Sequence, residues 1–172
     1  MRTSKFFLIG LFLVIVGILV SFSNVHGLKE VAVSGRNIVV DGQRYLIKGI
    51  CYHPVPKGSD KRDFGNLDQD LKLMVEAGIN TIRVYEPIRE KKVLDRINSA
   101  GIKIIMGFGY DQGGVYDIKS GTYIDYVNQY KGHDAILMWE LGNEYNYHPE
   151  WFAGDVKNWY SSLDKASVQI HK

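Results

Sequence analysis

Four times between residues 45 and 172 an apolar run of six to eight residues gives way to a stretch with helical spacing. The runs are YLIKGICY (45–52), NTIRVY (80–85), IKIIMGFG (102–109) and AILMWEL (135–141). Strand–helix units in series call for an α/β fold, a parallel sheet with helices packed outside it. Near-continuous apolar strands fit a sheet covered on both faces. The first helix is expected in NLDQDLKLMVEAG (66–78). There Asn66 and Gln69 have capping-box spacing, Leu67, Leu71, Met74 and Val75 share a face, and Gly78 is a C-terminal stop. Helices follow in KKVLDRINSAG (91–101), in TYIDYVNQY (122–130) and from about Trp151 to the chain end. Ahead of the first unit, breaks at Ser34-Gly35 and Asp41-Gly42 between apolar runs predict an N-terminal β-hairpin.

Two architectures use such units: an open doubly wound sheet and a (β/α)8 TIM barrel. The doubly wound form needs a phosphate site, and GFGYDQGG (107–114) is the nearest candidate. Its third glycine, Gly113, comes one residue late for G-x-G-x-x-G, and no helix opens before about Thr122. No P-loop or H-E-x-x-H motif occurs. His148-Pro149-Glu150 matches the H-x-E half of a zinc deaminase site, but a chain with one cysteine lacks the P-C-x-x-C half. No metal and no cofactor are therefore expected. The barrel accounts for the strand ends better, because barrel enzymes carry their chemistry at the C-terminal ends of strands. Here those ends read CYHP, RVYEP, GFGYD and ELGNEYNY, rich in Tyr, His, Asp, Glu and Asn. The expectation is a barrel truncated to about its first four βα units, spanning residues 28–172.

Residues 1–27 read differently. Arg2 and Lys5 precede the apolar run 6–20, and SFSNVHG follows it, the layout of a signal peptide. The run is short for a bilayer span, so export to the periplasm, cell surface or medium is expected; left uncleaved, residues 6–22 would anchor the chain to the membrane. This leader holds two of the 21 basic residues and none of the 19 acidic ones, leaving the remainder formally neutral. A neutral chain gives no footing for nucleic acid. Cys51, the single cysteine, has no internal disulfide partner and is expected to pack as a small core residue.

Side chains alternate across a strand, so Ile82 and Val84 should face the helices and Arg83 the other side, with Tyr85. A guanidinium there needs a partner. In the fourth run Ile136, Met138 and Glu140 share a face and Glu144 lies at the mouth, so Arg83 should pair with Glu140 or with the site carboxylates. Glycoside hydrolysis needs one carboxyl group to protonate the leaving oxygen and a second to attack or to activate water. Burial among rings would fit Glu144 for the first task. Tyr52, Tyr85, Tyr145, Tyr147 and Trp151 could wall a sugar cleft, since sugars have apolar C–H faces.

WELGNE, with NTIRVYEP and KGICYHP before it, resembles the first half of a clan A glycoside hydrolase, closest to family 2-like TIM-barrel domains. NTIRVY and AGIKIIM are also similar to the β-1,3-glucanosyltransferases. The resemblance covers roughly residues 30–172. It implies that Glu144 is the acid/base catalyst and Asn143 a substrate-binding residue. It also implies that Arg83 serves the site, with Tyr52 and His53 as looser binding matches and Glu140 as a support. The clan's nucleophile is a Glu at the end of strand seven, which these residues do not include. The expected activity is that of a retaining glycosidase on a β-linked oligo- or polysaccharide, inactive in this fragment. The alternatives are a glucanosyltransferase and a non-catalytic carbohydrate-binding barrel relic.

Overall fold

Two sheets share one chain, and the join between them falls inside what reads as a single strand. The structure is a computed structural model that describes residues 30–109 and 114–172. The leader and part of the 107–114 loop thus lie outside the described residues. The first sheet is an antiparallel meander of β1 (Val31–Ser34), β2 (Asn37–Val40) and β3 (Gln43–Tyr45), three strands where one hairpin was expected. Its second turn places Asp41 (φ 50°) and Gly42 (φ 76°) in the left-handed region. A tight two-residue turn between right-twisted strands requires that conformation.

The run 45–52 does not form one strand. Tyr45 closes the meander, residues 46–48 cross over, and β4 (Gly49–Cys51) opens a parallel sheet. That sheet continues in order with β5 (Thr81–Val84), β6 (Lys103–Phe108) and β7 (Ile136–Leu141). Between the strands lie α1 (Leu67–Glu76), α2 (Lys91–Ser99) and α3 (Ile124–Tyr130), and α4 (Val156–Ile170) follows β7. The described strands form an open four-stranded sheet, not a closed barrel.

Helices cover one face of this sheet. Ile82, Val84, Ile104 and Met106 are wholly buried there, against Leu71, Met74, Leu94, Ile97 and Val127. Apolar burial on this face is the main stabilising term. In α1 the stripe is Leu67, Leu71 and Met74; Val75 lies off it, exposed. Asn66 makes no side-chain cap bond, so the capping box is not formed. Gly78 ends the helix as expected, at φ 74°. The last helix starts later than Trp151: a single 3-10 turn (Pro149–Phe152) and a break at Ala153-Gly154 precede it, and Asp155 caps it by accepting from the Lys157 N–H.

Asn80 fastens the meander to the parallel sheet. Its Oδ1 accepts from the Lys48 N–H (2.8 Å), and its Nδ2 donates to the Leu46 carbonyl (2.8 Å). The Tyr45 hydroxyl reaches the Asn80 carbonyl and the Thr81 hydroxyl, each at 2.9 Å. These bonds hold the N-terminal ends of the strands and leave the opposite ends to the loops.

Candidate active site

Arg83 organises the C-terminal end of the sheet. Ile82 and Val84 turn to the helices, so Arg83 turns to the half-exposed opposite face. Its Nε donates to Glu140 Oε2 (2.6 Å) and its Nη2 to Glu140 Oε1 (2.5 Å), a bidentate ion pair from β5 to β7. Nη2 also donates to Asn143 Oδ1 at 2.9 Å. The hydrogen bonds to Glu140 raise the Arg83 pKa, the sign expected where the charged form is held by its partner. Bidentate pairing fixes both side chains in one geometry, and through Asn143 it also fixes the start of the loop after β7.

β6 lies between these two strands, and Gly107 lets it approach the backbone of β5 closely. A Cβ at Gly107 would stand 2.6 Å from the Val84 carbonyl oxygen. Gly107 pairs with Glu140 in the β6–β7 register, and Ile105 with both Arg83 and Met138. A side chain at this position would press on the backbone of Val84 and Tyr85. The sequence reading took Gly107 only as a weak phosphate-loop candidate.

Glu144 has an unusual backbone. Its φ of 55° and ψ of 24° lie in the left-handed region, which costs a residue other than glycine about 1 kcal/mol. The surroundings impose this conformation. Gly142 packs so closely that a Cβ there would meet the Trp159 ring at 2.8 Å, and its N–H donates to the Phe108 carbonyl. Directly after Glu144, Tyr145 is wholly buried against Phe152 and Trp159. Between these anchors Glu144 projects outward and is exposed. The burial among rings expected for it is absent, because the rings that follow turn into the core beneath it.

The other candidate residues divide. Tyr85 lies under the Arg83 guanidinium at 4.4 Å, a cation–π contact. His53 meets the Tyr85 ring edge-on at 6.3 Å. Tyr147 is 73% exposed. Trp151 stands edge-on to Tyr145 and stacks flat on His148 at 4.1 Å, and the His148 Nδ1 bonds Glu150 at 2.9 Å. Tyr52 does not join them. It is buried on the helix side, where its hydroxyl donates to Asp70 Oδ2 of α1 (2.7 Å). Burial and that carboxylate push its pKa up. Tyr52 is thus a core residue, and Tyr145 is another.

Cys51 is the reverse correction. It pairs in register with Arg83, shares the open face with it and is exposed, its Sγ 3.9 Å from Arg83 Nη1. Hydrogen bonding to Tyr85 and to Arg83 lowers its pKa. Sequence reasoning also passed over Asp70, which no motif marks. Among the described residues no three His, Cys, Asp or Glu side chains cluster as a metal would require.

A bidentate ion pair, a tethered amide, an exposed carboxylate and nearby rings at the C-terminal end of a parallel sheet can orient a polar ligand and exchange a proton with it. Comparisons find the same fold in glycosidases. A β-galactosidase from Arthrobacter sp. (strain B7) is 24% identical over 134 residues, covering 69% of this chain and 13% of that protein. The β-glucuronidase of Parabacteroides merdae superposes with a TM-score of 0.66 at 18% identity, over 83% of this chain and 19% of its own. A family 2 β-galacturonidase from Eisenbergiella tayi, solved with galacturonate, gives 0.54 at 22% identity, over 79% and 27%. No family model matches the chain. The chain spans 13–15% of the length of the curated relatives it matches. The described residues therefore share a fold also found in β-glycosidases.

Proposed function

We propose that these residues form the acid/base side of a retaining glycosidase that acts on a β-linked glycan, within a (β/α)8 barrel completed by further strands. The reading rests on one observation above the rest. The Arg83–Glu140 pair fixes Asn143 at the strand mouth, and the packing of Gly142 and Tyr145 on Trp159 turns Glu144 outward beside it. In that role Glu144 gives its proton to the leaving oxygen and then takes one from the incoming water or sugar hydroxyl. Asn143 hydrogen-bonds a sugar hydroxyl, and Tyr85, His53, Tyr147 and Trp151 line the approach. Glu140 is held by two hydrogen bonds from Arg83 and serves as the support of that cation.

A retaining mechanism also needs a carboxylate nucleophile about 5 Å from the acid/base group. On this reading it comes from a later strand, and residues 1–172 alone show no turnover. Transfer to a second sugar is the same chemistry with a hydroxyl in place of water, so a glucanosyltransferase would use the same residues. Export by the N-terminal segment fits an extracellular or periplasmic glycan as substrate.

The test is Glu144→Gln in the complete protein. Hydrolysis of glycosides with poor leaving groups should fall about 10²–10⁴-fold, the usual contribution of a general acid. Activated aryl glycosides, which need no protonation to leave, should lose much less in the glycosylation step. Full activity of the variant on unactivated glycosides would remove Glu144 from the mechanism.

A further inference from the structure

We propose that the cavity between the loop after β4 and the loop after β5 is a subsite for a second, neutral sugar residue, which rests on the glycoside reading of the neighbouring site. The cavity measures about 900 Å3, ample for one pyranose ring and typical of small-ligand sites. His53 to Gly65 supply one wall, Tyr85 to Val93 the other, and Val115 and Tyr116 stand at the back.

The second wall is built to hold its shape. Four successive carbonyls are each held by a side chain from elsewhere in the fold. Arg62 donates to Glu86 O (2.7 Å) and Pro87 O (2.6 Å), Tyr126 to Ile88 O (2.6 Å) and Tyr130 to Arg89 O (3.1 Å). Loops carry free backbone groups at the surface by default; a loop with four captured carbonyls is preformed, so binding there does not cost the entropy of ordering it. Arg62 spans the cavity from one wall to the other, and both donating nitrogens are spent on backbone.

The lining carries no net charge. Asp60, Asp63, Glu86 and Glu90 contribute four carboxylates. Lys61, Arg62, Arg89 and Lys92 contribute four cations, so the site has no net charge. A lining with donors and acceptors in balance, beside the rings of Phe64, Tyr85 and Tyr116, suits a ligand with hydroxyls on its rim and apolar C–H faces. The cavity also shares His53 and Tyr85 with the candidate active site. Tyr85 lines it and carries the Arg83 guanidinium at 4.4 Å, and His53 packs on the same ring. A glycan with one residue at Arg83 and Asn143 would lay the next one over Tyr85 into this space.

The experiment titrates the full chain with lactose and cellobiose against galactose and glucose, following backbone amide shifts. At least tenfold tighter binding of a disaccharide than of its monosaccharides is expected, with new shifts at His53, Gly65 and Lys92. Val115→Trp provides the control. Val115 is 66% exposed, lines the cavity and belongs to no part of the Arg83 network. Filling the cavity there should erase the disaccharide advantage and leave monosaccharide affinity unchanged. Monosaccharide binding with no gain from a second ring, or a gain whose shifts fall away from the cavity, would overturn the subsite alone. Binding of none of the four sugars would remove the glycoside reading with it.

Discussion

The two ends of the parallel sheet are both polar, and they use their polar groups in opposite ways. At the N-terminal end each side chain bonds to the fold. Asn80 joins β5 to the crossover, Lys103 donates to Asn98 Oδ1 and the Asp134 carbonyl, and His133 meets Asp95. At the C-terminal end Arg83, Glu140 and Asn143 bond to one another, while Glu144, His53 and Tyr147 face solvent. One end spends its hydrogen bonds on joining elements. The other spends them on one link between β5 and β7 that also tethers Asn143, and leaves Glu144, His53 and Tyr147 facing solvent beside it, the arrangement expected of groups held ready for a ligand.

The largest test of this contrast is Gly107→Ala. The added Cβ must push β5 from β6, because its nearest atom is the Val84 carbonyl oxygen at 2.6 Å. A backbone neighbour cannot rotate aside, so about 3 kcal/mol of destabilisation is expected, at the upper end of overpacking costs. Denaturant unfolding measures it. A loss below 0.5 kcal/mol would mean that the close approach of β5 and β6 at this point is not required.

Asn80→Ala attacks the opposite end. It removes bonds with the Lys48 N–H, the Leu46 carbonyl and the Thr81 hydroxyl. At about 0.5–1.5 kcal/mol each, reduced by partial exposure, the loss should be about 2 kcal/mol. Sugar binding at the far end should be untouched. Arg83→Met reverses the pattern. The ion pair is half-exposed, so its loss should cost about 1 kcal/mol of stability or less. Ligand affinity should fall at least tenfold, since Asn143 loses its tether. An Arg83→Met variant that unfolds like Gly107→Ala yet binds sugar normally would erase the distinction between the ends.

How much of this was legible in the sequence depended on whether a pattern or a local backbone event decided it. The strand–helix succession was legible because apolar periodicity reflects burial, and burial dominates the energy. The Arg83–Glu140 pair was legible for a related reason: alternation put a charge on the face opposite Ile82 and Val84, and a charge there needs a partner. The same alternation, applied to β4, places Cys51 with Arg83 and Tyr52 with the core, as found; reading the two by residue type instead misplaced both. The division of 45–52 between two sheets was not legible, because Leu46 and Ile47 continue the apolar run that a strand would show. Nor was the irregularity in β7, where Ile104 pairs with Ile136 but Ile105 pairs with Met138. It puts Ile136 out of phase with Met138 and Glu140. The left-handed Glu144 was hidden too, since close packing of Gly142 on Trp159 imposes it and no residue type announces it.

The smallest effect should come from pH at the N-terminal end. Asp95 accepts two bonds from Lys91 (2.7 and 2.9 Å) and one from His133 (3.0 Å). His133 Nδ1 accepts from the Ala135 N–H, which leaves Nε2 as the donor. Lys91 first, and His133 after it, hold the Asp95 carboxyl below its ordinary range. A carboxylate depressed in the folded state stabilises the fold above its unfolded pKa, about 3.9, and stops doing so as pH falls through the lower folded value. The melting-temperature gap between the wild type and Asp95→Asn should therefore stay constant from pH 8 to about 5 and close below about pH 4. Because the carboxylate is exposed to solvent, the gap should be the smallest of the series and should shrink with salt. A gap that widened in acid would mean that Asp95 is held protonated, and that this end does not use its charges as joints.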